Sequence, residues 1–161
     1  MGRAMDEIVL RSMAKWPNVP DVYGWLSLDR RGNWLIKNEK IGNLAFREFI
    51  CRNYQADARG CWFFQNGPQR VFVKLAYTPL VVHHEGEALI DHCGRRFHST
   101  EAFLDEEGSV LFAGTSGAAL LDDRDLERYS EHPERLSKIG TAEAPRRFGY
   151  VVEPKPGSGP F

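Results

Sequence analysis

The sequence predicts an α+β domain built on a curved antiparallel sheet of about eight strands, either as one sheet or as two half-sheets. Two observations lead to this fold class. Four times along the chain, a short segment containing glycine separates two apolar segments of strand length, which is the pattern of a β-hairpin. Residues 43–54, in contrast, have apolar side chains at helical spacing and supply one principal helix. Short loops favour antiparallel pairing, so we expect hairpins joined into a sheet, with short helices near the termini.

The chain opens with a short amphipathic helix. Its apolar positions recur at helical spacing: Met5, Ile8, Val9, Met13 and Trp16. Pro17 ends this helix, because the residue before a proline is pushed out of the α region.

The four predicted hairpins differ in the turn that joins their strands. The paired segments are 23–28 with 34–37, 61–65 with 69–77, 80–84 with 87–92, and 102–105 with 109–113. The Asn66-Gly67 turn gives the strongest signal, because both residues tolerate positive φ. The first and last hairpins align around Asp-x-x-Gly. Either an internal duplication or the general likeness of hairpins explains that match.

The principal helix has an apolar stripe and a cap. Ala45, Phe46, Phe49 and Ile50 form the stripe, and Asn43 is positioned to cap the N terminus. A further short helix is predicted to begin at Asp122 or Asp123 and to stop before Pro133. Its acidic residues lack the ligand order of a calcium-binding loop and suit the positive end of a helix.

The length of 161 residues suits one domain. We assign residues 1–137 to a single α+β domain. Beyond Ser137 the apolar content falls, so residues 138–161 are predicted to form an extended C-terminal segment and a tail.

Composition limits the possible function and location. The chain carries 21 Lys and Arg against 22 Asp and Glu, a formal net charge of −1. This balance excludes a strongly cationic nucleic-acid-binding or membrane-surface protein. No apolar run approaches the roughly 20 residues of a membrane helix, and no signal-peptide pattern occurs. Three cysteines at wide spacing argue against disulfides and for a reducing compartment. We therefore expect a cytoplasmic protein without membrane contact.

Histidine and cysteine crowd into one segment, which suggests a metal site. The residues concerned are His83, His84, His92, Cys93 and His98. A hairpin with Glu85-Gly86 as its loop would place His83 opposite Ala88 and His84 opposite Glu87. Neighbours on a strand point to opposite faces, so neither adjacent pair can chelate a metal or form a Cys–His catalytic pair. We expect no metal, no cofactor and no catalytic residue here.

Two other motifs are weighed and set aside. Gly114–Ala118 lacks the final glycine of a nucleophile elbow and is predicted to be a tight turn into a strand at 119–121. Arginine pairs are scattered among as many acids, so nucleic acid is not an expected partner. These pairs are Arg30-Arg31, Arg95-Arg96 and Arg146-Arg147.

Aromatic residues are the unusual feature of this composition, at 12% of the chain. Trp62 and Phe64 point opposite to Cys61 and Phe63, so both faces of that strand are apolar. The second face requires cover from the N-terminal helix, a second sheet or another subunit. We therefore predict an interaction surface that comprises Trp16, Trp62 and Phe64.

The segment from Met13 to Trp34 resembles an uncharacterised bacterial family, a domain of unknown function. The likeness is strongest over Trp16–Trp34 and continues through Gly60–Pro79. It implies a bacterial cytosolic protein with an α+β fold, and it carries over no catalytic residue.

From these features we predict a non-enzymatic binding or regulatory protein. It would act through its apolar surface, with an unidentified protein partner or as a homodimer, since two-fold contacts are the commonest among soluble oligomers. The alternative is an enzyme or small-ligand-binding protein whose site is assembled from residues distant in sequence.

Overall fold

The computed structural model describes residues 6–15 and 19–157, with the backbone alone for 12–15. Its strands form two sheets, of six and seven strands, instead of one sheet of about eight. The first contains β1 (Val22–Leu28), β2 (Trp34–Ile36), β3 (Glu39–Lys40), β4 (Tyr54–Ala56), β5 (Trp62–Asn66) and β6 (Gln69–Leu75). The second contains β7 (Leu80–Glu85), β8 (Ala88–Asp91), β9 (Arg96–Phe97), β10 (Ser99–Leu104), β11 (Val110–Gly114), β12 (Gly117–Leu121) and β13 (Ser137–Lys138).

The two sheets repeat one topology. The first has the order β3-β2-β1-β6-β5-β4, and the second has β9-β8-β7-β12-β11-β10, with β13 added beside β10. In each sheet the central pair is parallel, and the neighbouring pairs are antiparallel. This repetition favours the duplication considered from the Asp-x-x-Gly match. All four predicted hairpins are confirmed, as is the tight turn between β11 and β12.

Helices connect and cover the sheets. They are α1 (Glu7–Lys15), α2 (Leu44–Arg52) and α3 (Ala144–Phe148), with 3-10 helices at Asp123–Tyr129 and Pro133–Arg135. The predicted cap of α2 is confirmed, because the Asn43 side chain accepts the Phe46 backbone N–H at 2.9 Å. Ile50 is fully buried, whereas Phe46 and Phe49 are half-buried and pack edge-on against Phe64.

Four turns share one geometry, of which the sequence analysis recognised two. In each, an aspartate carboxylate accepts the backbone N–H groups two and four residues further on. The glycine at the fourth position has φ between +81° and +84°, where a residue with a Cβ is strained. The turns are Asp29–Asn33, Asp57–Cys61, Asp91–Arg95 and Asp105–Ser109.

The chain itself covers both faces of β5. Trp62 and Phe64 lie in the main core, 7% and 0% exposed. On the other face, Phe63 packs with Phe72, whose ring stacks on that of Tyr23 with centroids 4.9 Å apart. Both apolar faces of β5 are therefore covered by other residues of the same chain, and no second subunit is required to bury them.

The chain after residue 137 is more ordered than predicted. It contains α3, and Ile139 and Tyr150 are buried in the fold. The backbone N–H of Leu75 donates to the carbonyl of Val152 at 2.8 Å. The prediction of an extended segment is wrong for this stretch, because a few large apolar residues suffice to anchor it despite its low apolar content.

Asp122 caps the first 3-10 helix, as the sequence predicted. Its carboxylate accepts the Arg124 backbone N–H at 3.0 Å and two guanidinium N–H groups at 2.9 and 2.6 Å. Hydrogen bonds from Arg124 lower the pKa of Asp122 to about 2, although burial opposes this shift. The Asp122 side chain is 5% exposed, whereas that of Arg124 is 71% exposed.

We expect the Asp122 carboxylate to make stability dependent on acid pH. Its folded pKa lies below the ordinary value of 3.8, so the carboxylate stabilises the fold above that value. This contribution is lost as the pH falls through about 2. Because solvent screens the exposed Arg124, we expect about 1–2 kcal/mol. Urea unfolding of the wild type and Asp122→Asn measures it. The difference in free energy of unfolding should shrink towards low pH, and a constant difference would contradict the assignment.

Candidate functional site

The candidate site is a cavity of about 440 Å³ between α2 and the turn that joins β8 to β9. Helix α2 belongs to the first half of the duplicated fold, and the turn belongs to the second. The site therefore joins parts of the chain that are distant in sequence. Its lining residues are Gly32, Trp34, Leu44, Arg47, Glu48, Cys51, Arg52, His92, Cys93 and Arg95.

The two halves of the fold differ at the connection that borders the cavity. In the first half, α2 lies between β3 and β4. In the second half, the corresponding connection between β9 and β10 is the single residue His98. Helix α2 thus has no counterpart in the second half, and one of its faces lies against the β8–β9 turn.

The lining of this cavity is cationic. Arg47, Arg52 and Arg95 contribute three guanidinium groups against the single carboxylate of Glu48. The Arg52 Nε atom lies 3.1 Å from a carboxylate oxygen of Asp6. Among the described residues, Arg47 and Arg95 have no acidic side chain within ion-pair distance. The local excess of positive charge is therefore carried by these two arginines.

Two guanidinium nitrogens in this lining are buried and have no hydrogen-bond acceptor among the described residues. They are Arg47 Nε and Arg95 Nη1. Another nitrogen of the same group, Arg95 Nη2, donates to the carbonyl of Cys51 at 3.4 Å. A buried donor without an acceptor costs about 1–3 kcal/mol, and more when it is charged. An acceptor within hydrogen-bond distance of these nitrogens would remove this cost.

The wall beside the arginines is rigidly packed. The Trp34 indole N–H lies 3.4 Å from the Cys51 Sγ atom, and its ring contacts that of His92 edge-on. His92 Nδ1 accepts the Val81 backbone N–H at 3.2 Å, so the neutral ring carries its proton on Nε2. Gly32 has φ +83°, and a Cβ there would lie 2.6 Å from the His92 Cβ. Only glycine allows this close approach.

A disulfide crosses the cavity wall. Cys51 on α2 and Cys93 in the turn are bonded, with their Cα atoms 5.1 Å apart, whereas Cys61 is free and buried. The prediction that the cysteines remain unpaired is wrong for this pair, because spacing along the chain does not report distance in the fold. The Cys51–Cys93 disulfide also removes the main argument from the sequence for a reducing compartment.

His92 and Cys93 share this site, contrary to the prediction that they point apart. Strand β8 ends at Asp91, so both residues lie in the turn, where strand alternation does not apply. The β7–β8 register also differs from the predicted one, since His83 pairs with Ile90 and His84 with Leu89. The loop lies one residue further along than expected.

The remaining histidines form no metal cluster. Within residues 6–15 and 19–157, no group of three or more His, Cys, Asp or Glu side chains is arranged to hold a metal ion. His84 Nε2 lies 2.6 Å from the Tyr129 hydroxyl, and burial lowers the pKa of His84. A metal-free protein stays a prediction that elemental analysis can check.

The three residues predicted as an interaction surface have different positions. Trp62 and Phe64 are in the core, and Trp16 lies outside the described residues. Sequence reasoning missed Arg47 and Arg95 as a pair. Arg95 was considered only as a member of the Arg95-Arg96 pair, and Arg47 was given no role. No local signal connects two residues that meet through the packing of two halves.

The chain is an α+β protein with two sheets of matching strand order and a basic pocket between the two halves. This chain belongs to the family DUF2944, described as "Protein of unknown function (DUF2946)", whose model matches residues 5–138. The resemblance to an uncharacterised family predicted from the sequence is therefore confirmed. Among curated proteins, none matches this chain significantly.

Two solved structures share the fold. A DUF1285 family protein from Silicibacter pomeroyi DSS-3 is 15% identical, with a TM-score of 0.55 over 81% of this chain and 78% of that chain. A DUF1285 family protein from Shewanella baltica OS155 is 14% identical, with a TM-score of 0.51 over 66% of this chain and 90% of that chain. At this identity the likeness establishes the fold alone.

Of the helices within the described residues, none is long and apolar enough to cross a membrane.

Proposed function

We propose that this protein is a non-enzymatic binding protein that takes a small oxyanion into the pocket between α2 and the β8–β9 turn. The observation that carries this proposal is a pair of buried donors, Arg47 Nε and Arg95 Nη1, which have no acceptor among the described residues and belong to two arginines that line one cavity. A phosphate, sulfate or carboxylate group supplies both the acceptor atoms and the negative charge that such donors require.

The lining suits binding better than covalent catalysis. The sulfur atoms of Cys51 and Cys93 are joined to each other, so neither is a thiolate nucleophile in this state. His92 uses Nδ1 to accept a backbone N–H. Apart from the Glu48 carboxylate, the remaining polar side chains of the lining donate hydrogen bonds or carry positive charge, which holds and orients an anion.

This proposal keeps the binding role predicted from the sequence and moves the site from an apolar surface to a pocket. Its site is assembled from residues distant in sequence, which is the arrangement predicted for the alternative, an enzyme or small-ligand-binding protein. Residues 47 and 95 are supplied by different halves of the fold.

Self-association as a homodimer stays a prediction, as does an unidentified protein partner. Support comes from apolar side chains exposed on one helix, with Ile8 68% and Leu10 50% exposed on α1. Trp62 and Phe64 no longer support it, because they are buried within the chain.

The pocket is tested by calorimetric titration with inorganic phosphate, sulfate and citrate at low ionic strength. We expect at least one of them to bind, and Arg47→Gln and Arg95→Gln each to weaken it by about tenfold or more. A charge-assisted hydrogen bond contributes about 1.5–3 kcal/mol, and tenfold corresponds to about 1.4 kcal/mol.

Arg96→Gln is the matched control. Arg96 is adjacent to Arg95 in sequence, carries the same charge and is exposed outside the pocket lining. It should leave the affinity within about twofold, because solvent screens an exposed charge. Absence of binding to all three anions, or an equal loss in Arg96→Gln, would refute the pocket as the site.

A further inference from the structure

We infer that Cys51–Cys93 is a reversible redox-modification site that controls the affinity of the pocket. The disulfide holds the two arginine-bearing elements together, and its reduction by a dithiol weakens anion binding. This inference rests on the proposed function, because it concerns the regulation of the same pocket.

The disulfide joins the two elements that carry the unpartnered donors. Cys51 lies one helical turn after Arg47, so both side chains are on the same face of α2. Cys93 lies two residues before Arg95 within a single turn. The bridge spans 42 residues of sequence, so it is a long-range constraint placed beside the anion-binding groups.

Two noncovalent contacts described between α2 and the turn are long. Arg95 Nη2 donates to the Cys51 carbonyl at 3.4 Å, near the upper limit for a hydrogen bond. The Cys51 Sγ atom and the His92 carbonyl oxygen are 4.0 Å apart. Loss of the bridge therefore leaves Arg95 less firmly held over α2. An anion must then pay part of the cost of ordering the site, which lowers its affinity.

The bridge is within reach of a small reductant, because Cys51 and Cys93 both line the cavity. One thiolate of a dithiol attacks a sulfur of the bridge, forms a mixed disulfide and releases the other cysteine as a thiolate, which takes up a proton. The second thiol then attacks the mixed disulfide and releases the remaining cysteine. Two electrons and two protons pass to the protein, and the dithiol becomes a cyclic disulfide. Positive charge in the lining favours the approach of the thiolate.

The experiment compares the full chain in its oxidised and dithiothreitol-reduced states. Alkylation after denaturation, read by mass spectrometry, should modify one cysteine in the oxidised protein, Cys61, and all three after reduction. Titration with inorganic phosphate should give an affinity about fivefold or more weaker in the reduced state. Re-oxidation with oxidised dithiothreitol should restore both readouts.

Two variants separate the bridge from other effects of the reductant. Cys51→Ala/Cys93→Ala should bind phosphate weakly with or without dithiothreitol. Cys61→Ala should keep the full redox response, because that thiol is outside the pocket lining. The comparison of the oxidised and reduced wild-type protein does not depend on whether either variant folds.

The possible failures are distinct. Equal phosphate affinity in the two states overturns the switch and leaves the proposed function standing. Three reactive cysteines that cannot be oxidised to a bridge also overturn the switch. Absence of phosphate, sulfate and citrate binding in both states overturns the proposed function together with the switch.

Discussion

Replacing Gly60 with alanine is expected to destabilise the fold by about 3 kcal/mol or more. Gly60 has φ +83°, and a Cβ at this position would lie 2.2 Å from the backbone carbonyl oxygen of Gly149. The Val151 N–H donates to the Gly60 carbonyl at 2.9 Å, so a backbone hydrogen bond joins the turn to the C-terminal segment. The added methyl group must push this backbone away.

Gly108→Ala is the matched control for that change. Gly108 occupies the same position in an identical turn, with φ +84°, but a Cβ there would meet nothing within 4 Å. We expect it to cost about 1–2 kcal/mol, the strain of the backbone conformation alone. Urea unfolding of both variants measures the difference. Equal losses would show that the C-terminal segment does not pack against Gly60.

Asp105→Ala is expected to cost about 3 kcal/mol. The Asp105 carboxylate accepts the backbone N–H groups of Glu107 and Ser109 at 2.9 and 2.8 Å, and the hydroxyl of Tyr77 at 2.9 Å. Burial and the hydrogen bond to Asp105 raise the pKa of Tyr77, so the hydroxyl stays a donor at neutral pH. Alanine would leave three donors without their acceptor.

A double-mutant cycle with Tyr77→Phe isolates one of these bonds. The phenylalanine removes the hydroxyl, so part of the loss in Asp105→Ala should disappear in the double variant. We expect a coupling of about 1–2 kcal/mol between the two changes. Additive free energies of unfolding would mean that the hydroxyl and the carboxylate do not interact.

The hairpins could be predicted because their signals are local. In the Asn66-Gly67 turn and in the Asp-x-x-Gly turns, the residues that the turn conformation requires lie within five positions of the sequence. Parallel pairing was missed, because 40 residues separate β1 from β6 along the chain and no turn motif reports such a contact. The result is two mixed sheets where the local signals suggested one antiparallel sheet.

The candidate site was missed for the same reason. Arg47 and Arg95 are in segments with unremarkable charge, and the chain as a whole has a net charge of −1. The two arginines line the same cavity because α2 carries Arg47. This helix lies between β3 and β4, whereas the equivalent connection in the second half, between β9 and β10, is one residue. The cysteines gave the nearest available signal, because a pairing of Cys51 with Cys93 would have brought the two segments together. Their odd number argued against any pairing.

The central claim is that Arg47 Nε and Arg95 Nη1 hold an oxyanion between the two halves of the fold. A crystal structure of the protein with selenate, located by its anomalous signal, tests this claim most directly. We expect one ion in this pocket, with oxygens about 2.7–3.2 Å from both nitrogens. A pocket without selenium signal, with both nitrogens bonded to protein acceptors, would contradict it.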